Sequence, residues 1–261
     1  AEIAVEEFWK EAIEHVKQSS PRFLFVGESY WNLEWNLQRL GFDYTYDKTL
    51  YDRLLHEGAG SVRDHLKATI EYQQRSARFI ENHDEQRVAQ ALANEAWHYA
   101  AAMIASTVPG MLLLHEGQLD GRKVRVPVQL ARRPNEALSP ATHSFYERLL
   151  SCLESDVISN GEWRLLEHHA AWHDNFSYEN ILAYSWKRGT DVRLIVVNYA
   201  PMNSQCYITL QLDGMESPKL EFRDLMSSSV YVRDRLGFQN KGMYFDLPAY
   251  GMHLFEVKGV Q

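Results

Sequence analysis

Near its middle this chain changes period, and that change limits the folds open to it. Over roughly the first 120 residues, short apolar runs alternate with helical stripes. Val5, Phe8, Trp9, Ala12, Ile13 and Val16 recur at three- and four-residue intervals, one face of a helix, before "SSPR" ends it. The run Arg22 to Val26 is uninterrupted and apolar, which predicts a strand covered on both faces. "WNLEWNLQRLG" reads as a helical stretch closed by Gly41, and "FDYTYD" as a second strand. A helix over Ser61 to Ala77, a strand over Arg78 to Glu81, a helix over Gln86 to Ala105 and a fourth strand in "GMLLLHEG" continue the cycle. Such alternation predicts parallel strands joined by right-handed crossovers, with helices outside. After "RRPNEALSPAT" and one more helix over Phe145 to Leu153, the chain turns to short alternating runs such as "NILAYSW", "VRLIVVNYA" and "QCYITLQL". Their Gly, Asn, Asp and Pro spacers are those of an antiparallel sandwich. The expected organisation is a β/α part over residues 1–155 and a β part over 156–261.

Composition narrows the function classes. At 261 residues, 45% hydrophobic and 24% charged, the chain has apolar surface for one large domain or two modest ones. A formal charge of -8 argues against nucleic acid as a partner, because phosphate backbones are held by clustered Lys and Arg. No apolar run approaches the roughly 20 residues of a membrane helix, so no membrane partner is expected. Cys152 and Cys206 stand far apart with no C-x-x-C, which predicts reduced core thiols.

The chemistry gathers where the strands should end. "FLFVGESYW" breaks from apolar residues into Glu28, and "RFIENHDEQR" into Asn82, His83 and Asp84. In parallel β/α architectures the C-terminal strand ends form the ligand face. Glu28 and Asp84 are 84 − 28 = 56 positions apart, two strand-helix cycles, so they fall on alternate strands and can share a pocket. Desolvation beside an apolar strand would let Glu28 hold a proton near neutral pH. Tyr30, Trp31 and Trp35 add flat aromatic faces suited to sugar rings. A blander reading stands beside this one: Asp84 caps the next helix through the amides near Gln86 and Arg87, Trp31 and Trp35 form one core stripe at i, i+4, and His83 is a hydrogen-bonded core residue. Arg87, His115 and Glu116 lie close enough to the strand ends to be further candidates.

At these residues the sequence resembles the alpha-amylase family of glycoside hydrolases. "FLFVGESYW" looks like that family's acid/base region and "FIENHDEQR" like its Asn-His-Asp region. "GFDYTYDKTLYDRL" and "GMLLLHEGQLDGRKVRVPVQL" extend the likeness, and the β part looks like the family's C-terminal sandwich. The resemblance implies a (β/α)8 barrel and an oligo- or polysaccharide substrate. It makes Glu28 the acid/base for the leaving glycosidic oxygen and Asp84 the carboxylate that grips sugar hydroxyls, with His83 on the same sugar and Asn82 beside it. No cofactor and no metal is implied.

The chain departs from the family at one point: the nucleophilic Asp, two residues after an Arg on the preceding barrel strand, has no counterpart here. Counting agrees. A closed barrel takes eight strands in about 250 residues, whereas this part offers about four. The expected fold is therefore a partial (β/α)8 barrel of about four C-terminal β/α units followed by an antiparallel β-sandwich. The missing half would come from the same longer chain or, less favoured, from a partner, and the chain by itself would lack activity. A non-catalytic sugar-binding or scaffold protein is the alternative. A start within a helical stripe leaves a signal peptide undecided, with a cytoplasmic setting favoured.

Other motifs carry less. "HHAAWH" puts His169 and His173 at the spacing of a helical zinc pair, but Ala170 stands where a metalloprotease needs its Glu. "GAGS" at Gly58 lacks a dinucleotide fingerprint, and "GES" has no serine in the nucleophile-elbow place.

Overall fold

The computed structural model describes residues 8–260 apart from positions 31, 93, 131, 211, 213, 239 and 240. Val5 and Trp31 therefore lie outside the described residues. Helix α1 (Phe8–Ser19) leads to strand β1 (Val26–Gly27), α2 (Glu34–Leu40) and β2 (Tyr44–Tyr46). Three helices follow, α3 (Lys48–His56), α4 (Ala59–Leu66) and α5 (Ile70–Gln74), before β3 (Ser76–Arg78). Then come α6 (Val88–Ala91), α7 (Glu95–Thr107), β4 (Met111–Leu112), α8 (Pro140–Leu153) and α9 (Asp156–Asn160). The four strands make one parallel sheet in the order β1-β2-β3-β4. Each crossover is helical, as the alternation predicts.

Three local expectations fail for physical reasons. The run Arg22 to Val26 is not covered on both faces: only Val26 and Gly27 pair, and Phe23, Leu24 and Val26 are 53%, 59% and 43% exposed. β1 is the edge of the sheet, and no described strand pairs with its other side. The helix expected over Ser61 to Ala77 ends early, so the third strand is Ser76–Arg78 and not Arg78 to Glu81. Arg78, the last residue of that strand, is fully buried. Its guanidinium pairs with Asp47 and Gln73 and donates to the Pro109 carbonyl at 2.8 Å. A buried charge is tolerable only when paired and hydrogen-bonded in this way. The helix over Gln86 to Ala105 splits in two, because the Asn94 side chain caps α7 by accepting from the amides of Ala96 and Trp97.

The second part contains β5 (Glu162–Leu165), β6 (His168–Ala170), β7 (Ile181–Arg188), β8 (Asp191–Asn198), β9 (Ser204–Ile208), β10 (Lys219–Asp224), β11 (Val230–Asp234), β12 (Met243–Leu247) and β13 (Met252–Val260). Six strands form one antiparallel sheet, β11-β10-β13-β8-β7-β5, and three form another, β12-β9-β6. Alternation divides the six-stranded sheet between two cores. Leu194, Val196, Phe222 and Phe255 face Cys206, Ile208 and Phe245 of the smaller sheet. Leu182, Tyr184, Trp186, Ile195 and Val197 face the helices of the parallel sheet. There the Trp186 indole donates to the Thr107 carbonyl at 2.6 Å, and Trp97 stacks on Tyr250 with ring centroids 5.6 Å apart. Burying each large apolar side chain here contributes roughly 1.5–3 kcal/mol.

One buried histidine links this core to pH. His98 Nε2 lies 3.0 Å from the Tyr146 hydroxyl, which itself accepts from Gln118 Nε2 at 2.9 Å. The hydroxyl proton of Tyr146 is free to be donated to His98 Nε2 when that nitrogen carries none. Burial pushes the His98 imidazole down to about 4. The unfolded chain takes up this proton as pH falls through about 6.5, while the native state does not until about 4. Stability from this group is full above the unfolded value, is lost progressively down to the folded one, and falls no further below it, about 3 kcal/mol in all. Urea unfolding at pH 7 and 4.5 is expected to show a shallower pH dependence in His98→Asn than in the wild type. Identical slopes would remove His98 from the account.

Candidate functional site

The C-terminal ends of the parallel strands hold the residues singled out above. Glu28 follows β1, the loop Asn82 to Glu85 follows β3, and His115 and Glu116 follow β4. Between the first two lies Tyr46, the last residue of β2. Its hydroxyl pKa is raised first by burial and then by the negative charges of Glu28 and Asp84. Tyr30 reports the same convergence. Its hydroxyl donates to Glu28 Oε1 at 2.5 Å. That bond, with burial and the charges of Glu28, Asp84 and Glu85, pushes its pKa up to about 12. Glu28 and Asp84 thus act on two common phenols across one strand.

The loop that presents Asp84 is built by its neighbours. Asn82 is buried, and its Oδ1 accepts from the amides of Asp84 and Glu85, both at 2.9 Å. This turn leaves His83 and Asp84 exposed, with His83 Nε2 3.3 Å from Asp84 Oδ2. Asp84 does not cap the following helix. Glu81 does so instead: fully buried, it accepts the Val88 amide at 2.7 Å through Oε2 and pairs through Oε1 with Arg87 at 2.7 Å and His115 Nδ1 at 3.0 Å. Arg87 also donates to the Glu116 carbonyl at 2.5 Å. One carboxylate therefore ties the exit of β3 to the exit of β4.

Several expectations change in this light. Glu28 is exposed, so the described residues do not supply the desolvation expected around it; the open edge beside β1 is the reason. Trp35 on α2 meets Tyr72 on α5 edge-to-face at 6.3 Å, a contact between helices. Trp31 lies outside the described residues. Asn82 spends its carbonyl oxygen on the turn, and Arg87 is a buried tie. His83, His115, Arg87 and Glu116 line a groove of about 410 Å³ with Arg132 and Arg133, and Glu116 pairs with Arg133. "HHAAWH" forms no helix: His169 sits in β6 and His173 pairs with Asp174 at 2.7 Å. Among the described residues no cluster of His, Cys, Asp or Glu could hold a metal ion. Asp47, the one carboxylate following β2 directly, is locked below the rim by Arg78, His65 and the Leu50 amide.

Glu81, Tyr46 and Glu85 escape a motif-based reading. Glu81 carries a signal nonetheless: a carboxylate closing the apolar run "RFIE" must find a cation if it is buried, and Arg87 is the next one along the chain.

No family model matches the chain, and no curated protein does. Solved structures do match. The alpha-amylase of Geobacillus thermoleovorans, complexed with acarbose, aligns at a TM-score of 0.74 and 16% identity over 97% of this chain and 57% of its own. A maltogenic alpha-amylase of Thermotoga neapolitana aligns at 0.70 and 19% identity, over 99% and 60%. A debranching enzyme of Nostoc punctiforme, soaked with acarbose, aligns at 0.72 and 15% identity, over 98% and 55%. The chain spans little more than half the length of these structures, and what it shares with them is the fold.

Proposed function

We propose that these residues form the acid/base side of a retaining glycosidase site acting on alpha-glucans. In this reading residues 1–155 are the C-terminal half of a (β/α)8 barrel and residues 156–261 an antiparallel β-sandwich. The observation that carries it is the convergence of Glu28 and Asp84 on Tyr30 and Tyr46. Glu28 protonates the leaving glycosidic oxygen, and Asp84 with His83 grips the hydroxyls of the same sugar as positive charge develops on the ring. Retention needs a second carboxylate about 5 Å from the acid, on the other side of the bond. Asp47 is locked away, so that nucleophile comes from strands outside these 261 residues. Phe23, Leu24 and Val26 on the open edge of β1 offer the apolar surface on which such strands would pack. Acarbose in two of the similar structures supports the substrate class.

The test compares the chain alone with a polypeptide that also supplies the other barrel strands. Maltooligosaccharide hydrolysis is expected only from the second, with proton NMR showing the first product in the α configuration. Hydrolysis by the chain alone would contradict the split site. An inert complete polypeptide that still binds glucan would instead make this a sugar-binding scaffold.

A further inference from the structure

The outer face of the three-stranded sheet carries chemistry that the Glu28–Asp84 rim does not use. Strand register sets Tyr244 opposite Tyr207 and Tyr207 opposite His169, so three rings form one row across β12, β9 and β6. Their centroids are 5.5 Å and 5.7 Å apart. The inner positions of these strands, among them Cys206, Ile208 and Phe245, already fill the core between the two antiparallel sheets. Outward positions of such a sheet ordinarily carry polar residues; here Tyr244 leaves 46% of its surface to water, and His169 is exposed as well. On one flank of the row Gln205 Nε2 donates to Asp246 Oδ1 at 2.9 Å. On the other, Glu167, just before β6, accepts the Thr209 amide of the neighbouring chain segment through its carbonyl at 3.0 Å and is exposed.

We infer that this row binds a neutral oligosaccharide laid across the three strands. Aromatic rings meet the C–H surfaces of pyranoses, while the phenol hydroxyls, the imidazole and the Gln205–Asp246 pair exchange hydrogen bonds with sugar hydroxyls. Charge selects this ligand over the other polymer that stacks on aromatic rows. Single-stranded nucleic acid needs a cationic groove, whereas Glu167 and Asp246 flank this row and the chain carries a formal charge of -8. The six-stranded sheet separates the row from the parallel sheet, so the inference does not rest on the role given to Glu28.

Affinity electrophoresis and calorimetric titration of the 261-residue chain with maltoheptaose, beside a single-stranded oligodeoxynucleotide, test this. The glucan is expected to bind and the oligodeoxynucleotide not to. Tyr207→Ala combined with Tyr244→Ala should weaken glucan binding at least about tenfold, Tyr244→Phe should retain most of it, and Asp246→Asn should lower it with the rings intact. In a Glu28→Gln, Asp84→Asn background, which removes glucan held at the rim, the remaining binding should still respond to Tyr207 and Tyr244. Thermal unfolding checks that the alanine pair is folded, and Asp246→Asn carries the test if it is not. Absence of glucan binding by the wild type, or binding indifferent to the row, would overturn the inference. Loss confined to the Glu28 and Asp84 variants would overturn it while leaving the rim assignment standing.

Discussion

Replacing Glu81 with leucine is expected to destabilise the chain by about 3–5 kcal/mol, the usual cost of removing one partner from a buried ion pair. The carboxylate is fully buried, and its loss strands two donors, the Arg87 guanidinium and the Val88 amide, and removes the partner 3.0 Å from His115 Nδ1. Arg87 keeps its bond to the Glu116 carbonyl but loses its counter-charge. Glu81→Gln should cost less, because the amide oxygen can still accept one of these bonds. Urea denaturation of both variants measures the difference. Glu81→Leu with Arg87→Met should recover much of the lost stability, since an apolar pair of similar volume removes the uncompensated charge. A loss under about 1 kcal/mol for Glu81→Leu would mean that the pair is not buried as described. The same variant removes the tie between the exits of β3 and β4, on either side of which His83, Asp84 and His115 stand, so the seating of the rim depends on a residue that touches no substrate in the proposed reaction.

Glu81 also marks how far a sequence can be read. The strand-helix alternation, the later period of two and the strand-end positions of Glu28 and Asp84 follow from local patterns that these residues obey. Patterns fail where tertiary pairing overrides residue type. Ser76, Ala77 and Arg78 lack the apolar signature of a buried strand, yet Asp47, 31 positions from Arg78, neutralises its charge inside the fold. Likewise the apolar run from Phe23 to Val26 announces burial, and the edge position of β1 denies it. The roles within the Asn-His-Asp stretch divide in a way no spacing encodes: Asn82 closes the turn while His83 and Asp84 face water. Such divisions depend on contacts between distant segments, which a one-dimensional pattern does not contain.

In a polypeptide that also supplies the remaining strands of the proposed barrel, the proposed role of Glu28 predicts that Glu28→Gln lowers turnover of natural maltooligosaccharides by about 10²–10⁴-fold, the contribution of a positioned general acid. Glutamine is close in shape, and its Oε1 can still accept the Tyr30 hydroxyl bonded to Glu28 in the wild type. Binding should therefore survive, and the loss should fall on kcat. An amide, however, holds no proton acidic enough to pass to a departing sugar oxygen. The discriminating measurement is a second substrate whose leaving group departs as a stable anion, such as a nitrophenyl maltoside. Protonation then matters little, and the variant should retain far more of the wild-type rate for glycosyl transfer from this substrate than from maltooligosaccharides. An equal loss on both would show that Glu28 serves some function other than proton donation. A loss confined to KM would make it a sugar-binding residue, and the acid would have to be sought elsewhere on the rim.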